Sequence, residues 1–142
     1  MTIRAIIQGR DGPIFSCAAD HIVAEAVAIL AEKRIGALPV LDGEHVVGMF
    51  SERDVLYGIH KLGAAVMDKR VADVMTKDVV SIDLEISAID ALSLMTKRRI
   101  RHLPVVDGDN LIGFVSIGDL VKYRIDKIES EAAEMRNYIQ SA

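Results

Sequence analysis

ALPVLDGEHVVGMFSERDV, residues 37–55, returns as HLPVVDGDNLIGFVSIGDL at residues 102–120. Each version reads as an apolar run, an Asp-Gly pair, a second apolar run, then a serine with an aspartate three residues later. Asp-Gly between two apolar runs is a strong local signal for a tight β-hairpin, because glycine enters the positive-φ turn without steric penalty. The correspondence extends upstream. Residues 16–56 fall on 81–121 at an offset of 65 without a gap, with identities at Ser16/Ser81, Ala26/Ala91, Arg34/Arg99, Ile35/Ile100, Pro39/Pro104, Gly48/Gly113, Ser51/Ser116 and Asp54/Asp119 among others. The chain is a tandem duplication.

Working outward from the hairpin gives the rest of the unit. PIFSCA and DVVSID are short β-branched runs that read as strands. Ile22, Val23, Ala26, Val27 and Leu30 in one copy, and Ile86, Ile89, Leu92 and Met95 in the other, recur at three- and four-residue spacing and predict a buried helix face. After the serine, ERDVLYGIHKL and GDLVKYRIDKI resume helical spacing. Each copy is therefore strand–helix–strand–strand–helix, an α/β (α+β) unit. A copy of about 60 residues is marginal alone, so the halves are expected to pack together as one body. VADVMTKD, ahead of the second copy, resembles TIRAIIQGRD at the start of the chain and predicts a connecting helical turn. The expected segments are 1–65, 66–125 and a helical extension over 126–142.

Composition narrows the class. The 142 residues are 51% hydrophobic but only 4% aromatic, with no Trp, an aliphatic balance that argues against disorder. No apolar run approaches the roughly 18 residues of a membrane span. The N-terminus lacks the pattern of a secretory signal. One cysteine, Cys17, has no partner for an internal disulfide and reads as a small core residue, which fits a cytoplasmic location. A net charge of −4 disfavours general nucleic-acid binding. Phosphate-loop, dinucleotide-binding and nucleophile-elbow motifs are absent from the sequence. His21, His45, His60 and His102 have no metal-ligand spacing. Neither a catalytic nor a metal site is expected.

The repeated serine–aspartate pair has two readings. Serine with an acid three residues on is a capping box, which needs no ligand. The same pair, at a helix N-terminus with free N–H groups, also suits a ribose phosphate, since a carboxylate accepts two adjacent hydroxyls.

LPVVD, GFVSIGD, VMTKDVV and RRIRHLPVVD, in tandem, resemble the cystathionine-β-synthase (CBS) domain, and the chain from about residue 3 to 125 is similar to small stand-alone CBS-pair proteins. The resemblance implies two repeats packed sheet-to-sheet as one Bateman module, a homodimer of modules, and clefts that bind adenosine compounds without a required cofactor. One cleft would draw Ser81, Ile100 and Arg101 from the second copy with Ser51 and Asp54 from the first. The other would draw Ser16, Ile35 and Gly36 with Ser116 and Asp119. Related nucleotide sensors set a basic pair against phosphates where Arg101 and His102 stand. With Arg53 these give the Ser51 cleft the greater expected phosphate-binding charge. The implied function is a non-catalytic sensor of AMP, ATP or NAD(H) that signals to a protein effector in trans. Its rivals are a protein-interaction adaptor with vestigial clefts, an S-adenosylmethionine sensor and an unrecognised small-molecule enzyme.

The tail adds one feature. Val121, Ile125, Ile128, Ala132, Met135 and Ile139 alternate at spacings of four and three, a narrow apolar seam along a long helix. It is expected to pack on a partner subunit or to fold back across its own module.

Overall fold

A computed structural model describes residues 2–10 and 12–141. The outer limits of the expected segments, at 1 and 142, lie outside the described residues. The elements run α1 (Ile3–Gln8), β1 (Cys17–Ala18), α2 (Val23–Lys33), β2 (Ala37–Asp42), β3 (His45–Ser51), α3 (Glu52–Leu62), a 3₁₀ turn (Gly63–Asp68), α4 (Val71–Val74), α5 (Ala88–Arg98), β4 (His102–Asp107), β5 (Asn110–Ser116) and α6 (Ile117–Ser141).

Both hairpins form as read. β2 pairs antiparallel with β3 and β4 with β5, and each turn places its glycine, Gly43 or Gly108, at φ 63°. The ladders slip at equivalent places, between Val40 and Leu41 and between Val105 and Val106. The two hairpins join at their ends, where His45 pairs with Asn110, giving one five-stranded sheet in the order β1-β2-β3-β5-β4.

The opening strands are shorter than the sequence suggests. PIFSCA yields only Cys17–Ala18, paired parallel with Val40 and Leu41, and DVVSID yields only a bridge from Ile82 to Val105. Each lies at an outer edge of the sheet and has one neighbour, so little pairing fixes its length. The second helix face also differs. Ala88, Ala91 and Met95 are buried, whereas Ile89 is 52% exposed. The small alanines let α5 approach its sheet closely, turning the face away from Ile89.

Two apolar cores result, one per copy, and the entry helices are exchanged between them. Ile3 of α1 lies with Ile82, Met95, Leu103, Val115 and Leu120 of the second copy. Val71 of α4 lies with Cys17, Leu30, Leu38, Val40 and Phe50 of the first. The docking is equivalent on both sides: Ile3 N donates to Ile86 O at 2.9 Å, and Val71 N donates to His21 O at 2.8 Å. Gly48 and Gly113 permit it. A Cβ on Gly48 would sit 2.4 Å from Met75 Sδ, and one on Gly113 would sit 2.4 Å from Ile7 Cδ1. The connecting turn expected at VADVMTKD is thus a cover for the preceding copy, and the start of the chain covers the following one. Cys17 is buried and its thiol is pushed up to about 11 by burial, which keeps it protonated and unreactive at neutral pH.

Candidate functional site

Ser51 and Ser116 close their hairpins and open the next helices. Ser51 Oγ accepts from Asp54 N at 3.4 Å while Ser51 N donates to Asp54 Oδ2 at 2.9 Å. In the second copy the corresponding distances are 3.1 Å and 2.8 Å for Ser116 and Asp119. Both pairs are capping boxes, so the ligand-free reading of the motif is realised twice. What separates them is the rest of each carboxylate.

Asp54 has both oxygens engaged, because Thr76 Oγ1 donates to Oδ1 at 2.9 Å and Ser51 bonds to Oδ2. Asp119 uses only Oδ2, shared between Ser116 N at 2.8 Å and the Arg10 guanidinium at 3.2 Å. Among the described residues nothing donates a hydrogen bond to Oδ1 of Asp119. Arg10 is fixed from its other side by the carbonyl of Phe114.

Asp119 and Ser116 stand at the edge of a cavity of 490 Å³ between the copies. That volume lies within the range of about 300–1,000 Å³ usual for small-molecule sites. The first copy contributes Ile14, Phe15, Arg34, Ile35, Gly36 and Ala37; the second contributes His102, Ile112, Gly113, Phe114, Ser116 and Asp119; Ile7 and Arg10 come from the start of the chain. Arg34 ends α2 in the left-handed conformation, φ 53°, which turns the chain sharply toward β2 beside the cavity.

His102 is half-buried and stacks on Phe114, with ring centroids 5.5 Å apart and planes 19° apart. Burial lowers its pKa from the usual 6.5, assisted by Arg101 and opposed by Asp119 and Glu52. The neutral imidazole therefore prevails at pH 7. His102 offers the cavity a flat aromatic wall with one hydrogen-bonding edge.

The structure divides the candidate residues. Ile35, Gly36, His102, Ser116 and Asp119 come together around the cavity. Ser16 is half-buried next to the wall residues Ile14 and Phe15 but does not itself line the cavity. His102 was expected with Ser51 and Asp54, and it lies instead with Ser116 and Asp119, because β4 enters the sheet beside Gly36, whose Cβ position is 3.5 Å from His102 Cε1. Arg53 and Arg101 are exposed and line neither described hollow. Ile100 packs on the second core. Ser81 borders a separate open hollow with Asp83 and Glu85. Sequence reasoning missed Arg10 and Phe114 and assigned no site role to Arg34, although the Arg34/Arg99 identity marked that position.

The CBS domain family model matches residues 10–61 and 71–126, both copies of the repeat. This chain belongs to the CBS domain family. The chain is 33% identical over 135 residues to the CBS domain-containing protein CBSX3, mitochondrial, of Arabidopsis thaliana, covering 92% of this CBS pair and 66% of that protein. It spans less than two thirds of the first relatives it matches, with only 22% of an inosine-5'-monophosphate dehydrogenase of Methanocaldococcus jannaschii covered. A solved CBS-domain protein of Burkholderia ambifaria is 36% identical and superposes with a TM-score of 0.82, covering 89% of this chain and 95% of that one. The CBS pair of protein MJ0100, solved with 5'-methylthioadenosine and S-adenosyl-L-methionine, shares the fold at 22% identity and a TM-score of 0.78, with 89% and 98% of the two chains covered. Among the described residues, no helix of this CBS pair is long and apolar enough to cross a membrane.

Proposed function

We propose that this CBS pair is a non-catalytic regulatory module that binds an adenine nucleotide, AMP, ATP or NAD(H), in the cleft between its copies. One observation carries the reading: a cavity built from both copies ends at the N-terminus of α6 and at a carboxylate to whose Oδ1 none of the described residues donates. Asp119 Oδ1 suits a ribose hydroxyl, and the wall of Ile35, Ile112, Phe114 and neutral His102 suits a purine. The adenosine compounds bound by MJ0100 support the ligand class on the same fold. A ligand that touches both copies binds more tightly to one relative setting of them than to another, and that difference is the signal a protein effector reads in trans.

A thermal-shift panel of AMP, ADP, ATP, NAD, NADH and S-adenosylmethionine on nucleotide-free protein tests this. Ligand at about a hundred times its Kd stabilises by roughly 2.7 kcal/mol. For a chain of this size the shift in Tm is about 5–10 °C. A flat panel would transfer the weight to a protein-interaction adaptor.

The second part of the proposal is a homodimer. Val121, Ile125, Ile128, Met135 and Ile139 of α6 are exposed, as are Leu56, Tyr57, Ile59 and Leu62 of α3. Contiguous exposed apolar side chains at helical spacing favour burial against a partner. Ending the chain after Lys127 removes Ile128, Met135 and Ile139 from the seam, and sedimentation should then report monomer where the full chain gives dimer. A truncated chain that stays dimeric would rule out the α6 contact.

A further inference from the structure

The two capping boxes are met from outside by different chemistry. Thr76, a neutral hydroxyl, reaches Asp54, and Arg10, a cation, reaches Asp119. Both partners follow an exchanged entry helix, Thr76 after α4 and Arg10 after α1, so the difference lies between two structurally equivalent approaches. Among the described residues lining the cavity, Asp119 is the one carboxylate, against the guanidinium groups of Arg10 and Arg34, with His102 neutral at pH 7. Glu52 stands just behind this lining, its Oε1 3.6 Å from the Cβ position of Gly36, and Arg10 is the cation whose ion pair with Asp119 borders the cavity.

We propose that Arg10 sets the ligand class of this cleft: it covers one oxygen of Asp119 in the free protein and transfers to the phosphate of a 5'-phosphorylated adenosine when that ligand binds. The proposal rests on the adenosine reading of the cavity and adds which compounds of that class it accepts. Arg10 reaches Asp119 and Phe114 through a single nitrogen, Nη1, and its side chain is 48% exposed, so the rest of the donor fork is available to an incoming anion. Its departure from Oδ2 leaves Asp119 able to accept two ribose hydroxyls instead of one. Ribose and phosphate thereby bind cooperatively, since each relieves the charge that the other leaves exposed. Adenosine and S-adenosylmethionine supply no phosphate to draw Arg10 away, and a sulfonium adds a like charge.

Isothermal titration of the full chain with AMP, adenosine and S-adenosylmethionine, in the wild type, Arg10→Gln and Arg10→Lys, tests this. The wild type should prefer AMP. Arg10→Gln should lose about tenfold or more in AMP affinity, the scale of one charge-assisted hydrogen bond. Adenosine should bind Arg10→Gln as well as the wild type or better, and the salt dependence of AMP binding should flatten. Arg10→Lys should keep part of the preference for AMP. If AMP and adenosine weaken by the same factor, or neither changes, Arg10 does not select phosphate even though the site binds adenosine. If the wild type binds none of the three compounds, the adenosine reading itself falls, and this proposal with it.

Discussion

Asp119→Ala should weaken adenosine binding by about 10- to 150-fold, the effect of losing a charged hydrogen-bonding group worth about 1.5–3 kcal/mol. Asp54→Ala should change it by less than about threefold, within the scatter expected of a residue remote from the ligand. The contrast follows from hydrogen-bond accounting. Asp54 spends one oxygen on Ser51 and the other on Thr76, whereas none of the described residues donates to Oδ1 of Asp119 at the cavity edge. AMP should lose less than adenosine in Asp119→Ala, because removing the carboxylate releases Arg10 toward phosphate. Each variant also loses its capping box, at a cost of about 1 kcal/mol, so affinities are compared by titration rather than by melting temperature. Equal losses from the two variants would mean that both clefts are used alike.

Ile3→Ala should destabilise the protein by about 2–5 kcal/mol in a urea titration, the range for truncating a fully buried isoleucine. This is a large fraction of the roughly 5–15 kcal/mol that holds a typical domain together. Ile3 is tied down: it is fully buried in the second core, and its N–H bonds to Ile86 O at 2.9 Å. Neighbouring Arg4 pairs with Glu85 on the surface, and Arg4→Ala should cost no more than about 1 kcal/mol. Hydrogen exchange in Ile3→Ala should rise first in β4 and β5, 100 residues away in sequence, before it rises in β2 and β3. A loss below about 1 kcal/mol would show that α1 is not an integral part of the second core.

The legible features were those carried by neighbouring residues. Asp42-Gly43 and Asp107-Gly108 announced both turns because positive φ favours glycine wherever the chain goes next. Val23, Ala26 and Leu30 announced their face because helical spacing is a property of the segment itself. Ile89 misled for a related reason. Its spacing fits the stripe, but the burial of Ala88 and Ala91 sets how α5 lies on the sheet.

By itself, the sequence determined that the chain is a duplicated hairpin unit, that each hairpin runs into a serine–aspartate pair at the start of a helix, and that helical spacing continues past the second copy. Local pattern suffices for these, since turn chemistry, helical period and capping act over a few residues. Only the tertiary structure decided that the entry helices cross over, so that α1 serves the far copy and α4 the near one. That crossing brings Arg10 to Asp119, moves His102 into the same cleft, and leaves Thr76 on Asp54. Two repeats with nearly the same local code acquire unequal clefts because each carboxylate meets a residue from outside its own repeat. Which residue arrives depends on the path of the chain between cores, and no spacing within a repeat records that path.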